Sequence, residues 1–163
     1  MNYTVLRGEV LGDSKYHGLA SSAVADMLNA STIPTKKEVE AKELRRILLM
    51  SGKLGLMKYL SIPGGAGLIS PPLTATQQLE ISALCNTVIM VLEPGAFATI
   101  DYTNPTIYGT IEFMLQKLVE AGIINNELKS TILAVGNSTM SRASQLGLGI
   151  VTADDVNRAR DGA

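Results

Sequence analysis

TATQQLEISALCNTVIMVL, residues 74–92, decides the fold class. Leu79, Ile81, Leu84, Cys85, Val88, Ile89, Val91 and Leu92 recur at helical spacing and leave the segment little polar face. A helix that is apolar nearly all round belongs in the centre of a bundle or at an obligate interface. Glu80, Ser82, Asn86 and Thr87 interrupt the apolar run, which is too short and too polar to span a bilayer. Pro94-Gly95 ends it.

Helical spacing continues on both sides. Downstream, Phe97–Tyr102 (FATIDY) alternates apolar and polar and fits a short extended piece, but one such piece does not make a sheet. Asn104-Pro105 opens a helix, with Asn as cap and Pro in the first turn. Its stripe is Ile107, Tyr108, Ile111, Met114, Leu115 and Leu118, and Gly122 terminates it. Asn125 or Asn126 caps a further helix with Leu128, Ile132, Leu133 and Val135 on its core face. A short pair follows, Ser141–Leu146 and Thr152–Arg160, joined by a Gly-Leu-Gly turn.

Upstream, SIPGGAGLISPP (61–72) reads as a loop, either a flexible linker or an assembly contact. It lacks the Lys-Ser or Lys-Thr of a phosphate-cradling loop and the strand–helix context of a dinucleotide site. Lys36 to about Leu60 is the longest helical pattern, and Gly52 and Gly55 imply a break in it or a close crossing by another helix. Pro34 stops any continuation from the helix over 21–29, and residues 3–11 form a first amphipathic helix. The expected fold is therefore all-α: a compact bundle of about six to eight helices with a short C-terminal helix pair. Residues 1–135 are expected to form a helical core domain and residues 136–163 a helix-turn-helix-like arm.

With 46% hydrophobic and 18% charged residues, the chain can build a core and is not of the disordered class. So low a charged fraction fits either a large internal core or a surface that packs in an assembly. Net charge is -1, where a dedicated nucleic-acid binder is usually basic. The charge is unevenly placed. Pro34–Leu60 holds seven Lys or Arg against three Glu, a net +4. Ser61–Gln116 holds no Lys or Arg and four carboxylates, Glu80, Glu93, Asp101 and Glu112, a net -4. The two halves either neutralise each other within one fold or meet head to tail between subunits. Lys36, Lys37, Lys42, Arg45 and Arg46 fit a solvated helix face with i,i+4 pairs, or else a phosphate-binding or protein-contact surface.

Catalytic constellations are not expected. His17, the single histidine, falls in a turn marked by Asp13-Ser14 and Gly18, so a Ser-His-Asp or Cys-His site would depend on it alone. The single cysteine, Cys85, precludes an intramolecular disulfide and fits a small buried hydrophobe in a chain made in a reducing compartment. No zinc-ligand spacing is present. Asp154 and Asp155 read as first-turn carboxylates after the cap Thr152, or as a cation site. No cofactor or metal is expected. MNYTVLRGEV at the start has no apolar run, so no signal peptide is expected.

The C-terminal pair has roughly the lengths of a helix-turn-helix, and Arg142, Arg158 and Arg160 are placed to touch phosphates. Against that reading, Asp154 and Asp155 sit at the end of the second helix that would face the bases. The other reading is two short helices that lock the end of the domain, with Val151 and Val156 buried.

SRASQLGLGIVTADDVNRAR (141–160) resembles the ending of a group of small helical proteins of tailed bacteriophages, S-R-A-x-x-L-G-L-G-x-V followed by D-V-x-x-A-R. Ser141, Arg142, Ala143, Leu146, Gly147, Leu148, Gly149, Val151, Asp155, Val156, Ala159 and Arg160 fit it. Leu118–Ile124 and SSAVADMLNA (21–30) resemble further parts of the group, while Ser61–Thr103 departs from it. The resemblance implies a phage context and no particular activity. It leaves two expectations. One is a non-enzymatic virion component or adaptor of the neck, tail or tail tip, assembled in the host cytoplasm as a homo-oligomer or repeated subunit beside other phage structural proteins. The other is a non-virion phage protein that inhibits a host system. A DNA-binding role is disfavoured.

Overall fold

The computed structural model describes residues 1–62, 64–69 and 73–162. It divides into two compact units, Met1–Thr35 with Ser138–Ala163, and Lys36–Asn137. The division differs from the expected one at 135/136. The apolar residues of the last segment supply part of the core on which the first helices close. The sequence holds these two stretches more than a hundred residues apart, and no local pattern reports that they meet.

In the first unit, α1 (Tyr3–Gly12) is capped by Asn2, whose side chain accepts from the Val5 N–H. A single 3-10 turn at Ser14–Tyr16 leads to α2 (Ser21–Asn29). After the second unit come α8 (Arg142–Gln145) and α9 (Ala153–Asp161). Leu6, Val10, Tyr16, Val24 and Leu28 pack with Ala143, Leu148, Val151, Val156 and Ala159 in one core. Each fully buried Val or Leu there contributes about 1.5–3 kcal/mol. Asn29 clamps the return of the chain by accepting from the Val151 N–H (3.0 Å) and donating to the Val151 carbonyl (2.6 Å). Strands β1 (Ile33–Lys36) and β4 (Asn137–Met140) pair with each other.

The second unit holds β2 (Glu38–Glu40), α3 (Ala41–Met50), α4 (Lys53–Leu60), α5 (Ala75–Leu92), β3 (Thr99–Asp101), α6 (Pro105–Glu120) and α7 (Asn126–Val135), with a 3-10 turn at Gly65–Leu68. The helix expected over 36–60 is thus three elements. Glu38-Val39-Glu40 alternates exposed, buried, exposed, and pairs antiparallel with β3 in the register Glu38–Asp101, Val39–Ile100, Glu40–Thr99. Residues 99–101 therefore do find a strand partner, in a segment whose helical pattern hid a period of two. The helix then breaks at Gly52, which takes φ +70, a conformation that favours glycine; Gly55 lies inside α4. Thr74 caps α5 in a reciprocal capping box with Gln77, and Asn104 and Asn125 cap α6 and α7.

The chain is therefore mostly helical, with two small strand pairs, and not strictly all-α. Among the described residues there are nine α-helices, one more than the upper expectation, because 36–60 is divided. Pro63 and Ser70–Pro72 of the expected 61–72 loop lie outside the described residues. No helix among the described residues is long and apolar enough to cross a membrane.

Candidate functional site

The apolar character of α5 is only partly used inside the protein. Ile81, Cys85 and Leu92 are buried, whereas Leu79 is 73% and Met90 58% exposed. The helix packs against α3, α4 and the 3-10 turn at Gly65–Leu68, and much of its remaining surface is open. The next helix, α6, packs against α7, and α5 and α6 make little contact with each other.

The space left between them is a groove of about 490 Å³. Its floor is buried core: Leu44 and Leu48 of α3, Leu92, Leu115, and Ile132 of α7. Its walls are Val88 and Val91 from α5, Phe97 just before β3, Ile100 within β3, and Ile107, Ile111 and Met114 from α6. Phe97 is 57% exposed at the mouth. The threonines that reach the groove add little polarity. Thr87 donates its hydroxyl to the Ala83 carbonyl and Thr110 to the Thr106 carbonyl, each one turn back along its own helix.

Among the described residues, Asp101 is the single charged residue lining the groove. The Thr103 hydroxyl and backbone N–H both donate to it, and these bonds hold its carboxyl below the usual carboxylate range. With no Lys, Arg or His on the lining, an anionic acyl ligand meets only a like charge. With few free polar groups, the groove has little means of orienting a small polar molecule. Its chemistry is that of an apolar contact surface with one negative mark.

Of the eight basic residues expected to form interaction surfaces, five lie in one unit and three in the other. Lys36 donates to Asn137 (2.6 Å) and stacks over the Tyr108 ring at 4.3 Å. Lys37 is exposed, and Lys42 forms a surface ion pair with Glu40 at 2.7 Å. Arg45 is half-buried and Arg46 exposed, and neither is in an ion pair among the described residues. These last three cations share α3 with the exposed apolar side chains Leu49 and Met50.

The other three are occupied within the first unit. Arg142 binds Glu9 through two bonds, 2.8 and 2.7 Å. Arg160 donates to the Ser21 hydroxyl and to the Tyr16 and Leu19 carbonyls. Arg158 approaches the Tyr3 hydroxyl at 3.5 Å. The helix-turn-helix reading meets further obstacles: α8 is a single turn, and α9 buries Val156 and Ala159 against the core. Asp155 is the capping-box partner of Thr152 and accepts from the Tyr3 hydroxyl at 2.7 Å. Val151 and Val156 are buried, as the locking alternative expects.

Cys85 lies in the core, and burial pushes its thiol up to about 11. His17 approaches the Leu11 carbonyl through Nε2 at 3.0 Å. Among the described residues no group of three His, Cys, Asp or Glu is arranged to hold a metal ion. Sequence reasoning placed most of the groove residues in a core and missed their exposure. The one signal that bore on it was the lack of a polar face on α5. Comparison with protein-family models, with curated proteins and with solved structures found no match to this chain.

Proposed function

We propose that the chain is a non-enzymatic bacteriophage protein that works by packing against other protein subunits, as a structural or adaptor component of the virion neck, tail or tail tip. The observation that carries this reading is the open apolar groove between α5 and α6, a surface whose lining suits another protein better than a polar or anionic small molecule. The phage context rests on the resemblance of residues 141–160. The arginines of that motif support the reading indirectly: Arg142 and Arg160 are engaged within their own unit, which leaves phosphate contact little to work with.

The alternative is a non-virion phage protein that uses the same groove to bind and inhibit a host component. Quantifying the chain in purified particles separates the two. A fixed number of copies per particle supports the virion role. Abundance in infected cells with none in purified particles overturns it in favour of the inhibitor.

A further inference from the structure

The groove has a complement on its own chain. Leu44 and Leu48 of α3 form part of its floor. At 100° per residue, Arg46 stands about half a turn away from that stripe, flanked by Lys42, Leu49 and Met50. Leu49 is 61% and Met50 81% exposed. The outer side of α3 is thus an apolar knob with cations beside it. The groove is an apolar slot with one carboxylate, and the stretch 61–116 that supplies most of its walls carries no Lys or Arg.

We propose that the groove receives the outer face of α3 from a second copy of this chain, with Leu49 and Met50 entering the slot and Arg46 meeting Asp101. Charge complementarity selects this occupant: a cationic apolar face fits a slot whose one charge is negative. Knob and slot lie on opposite sides of α3, so a copy cannot fill its own groove. For the same reason two copies do not satisfy both contacts at once across a two-fold axis. The pairing is head to tail, and it closes into a ring or extends into a filament. The inference rests on the packing role proposed above and names its partner.

Two variants test it, each in the full-length chain. Met50→Glu spoils the knob at a side chain with almost no folded contacts; Ile107→Glu spoils the groove at its open edge. Circular dichroism verifies that both fold, and Arg46→Glu serves as a second knob variant. Light scattering is expected to show self-association of the unaltered chain, weakened about tenfold or more by either substitution. Mixing the Met50→Glu and Ile107→Glu chains should give a 1:1 dimer that grows no further, since one intact slot meets one intact knob. A native chain that stays monomeric at high concentration overturns the pairing, as does association unchanged by both variants. Failure of the broader reading looks different: a chain that self-associates through the groove but is absent from particles keeps this pairing and removes the virion role.

Discussion

Arg142 grips Glu9 through two charge-assisted hydrogen bonds, 2.8 Å from Nε and 2.7 Å from Nη2, across 133 residues of sequence. The Glu9 carboxylate is almost fully enclosed, and Tyr16 and Lys15 also reach it. Removing Arg142 leaves the Glu9 charge with little water, and removing the Glu9 charge leaves Arg142 without its carboxylate, so Arg142→Ala and Glu9→Gln are both expected to lower stability. Thermal unfolding at neutral pH measures the loss.

The same pair sets a pH dependence. Hydrogen bonds from Arg142 hold the Glu9 carboxyl below its ordinary value. A carboxylate lowered in the folded state contributes all of its stabilisation above the unfolded value of about 4.3. That contribution is lost as pH falls through the lower folded value. Glu9→Gln should therefore differ most from the native chain at neutral pH, and the difference should shrink toward pH 3. A difference that is constant with pH would contradict the ionised pair.

Removing residues 138–163 takes Ala143, Leu148, Val151, Val156 and Ala159 out of the core that holds α1 and α2. The truncated chain is expected to lose more helix than α8 and α9 contain, because α1 and α2 then have nothing to close on. Far-ultraviolet circular dichroism measures this. A loss limited to the deleted residues would favour a separable arm.

Gly136 lies flat against Tyr102, and a Cβ there would overlap the ring. Tyr102 is buried and meets Tyr108 edge to face, with centroids 5.7 Å apart. Gly136→Ala should destabilise the second unit by about 1–3 kcal/mol through overpacking, and chemical denaturation checks it.

The legibility of this chain in its sequence follows the range of the interactions involved. Caps at Thr74, Asn104, Asn125 and Thr152 are local hydrogen bonds, and local spacing could reveal them. The stop at Gly52 was legible for the same reason, since one positive φ ends a helix. Val39 against Ile100 was not, because strand pairing depends on a partner sixty residues away and Glu38–Glu40 also fits a helical start. The groove was half legible. The all-round apolarity of α5 signalled burial or an interface, but not that α6 would pack on α7 and leave Val88 and Val91 open. Arg142 and Arg160 misled for a related reason: an arginine gripping a distant carboxylate or carbonyl looks the same in sequence as one facing solvent.

Cys85 offers a built-in probe of the second unit. Its thiol is buried and its ionisation pushed up to about 11, so the thiolate is scarce at neutral pH. A maleimide or disulfide reagent should label the native chain slowly and label it fully once the unit unfolds. Rapid labelling without denaturant would show that the core around α5 opens readily.

The central claim is that this protein works by packing, with α3 of one copy in the groove of the next. Size-exclusion chromatography with light scattering on the full chain, across concentration and from low to high salt, tests it most directly. The account predicts concentration-dependent oligomers that weaken as salt screens Arg46 from Asp101. A monomer at every concentration and every salt would contradict it.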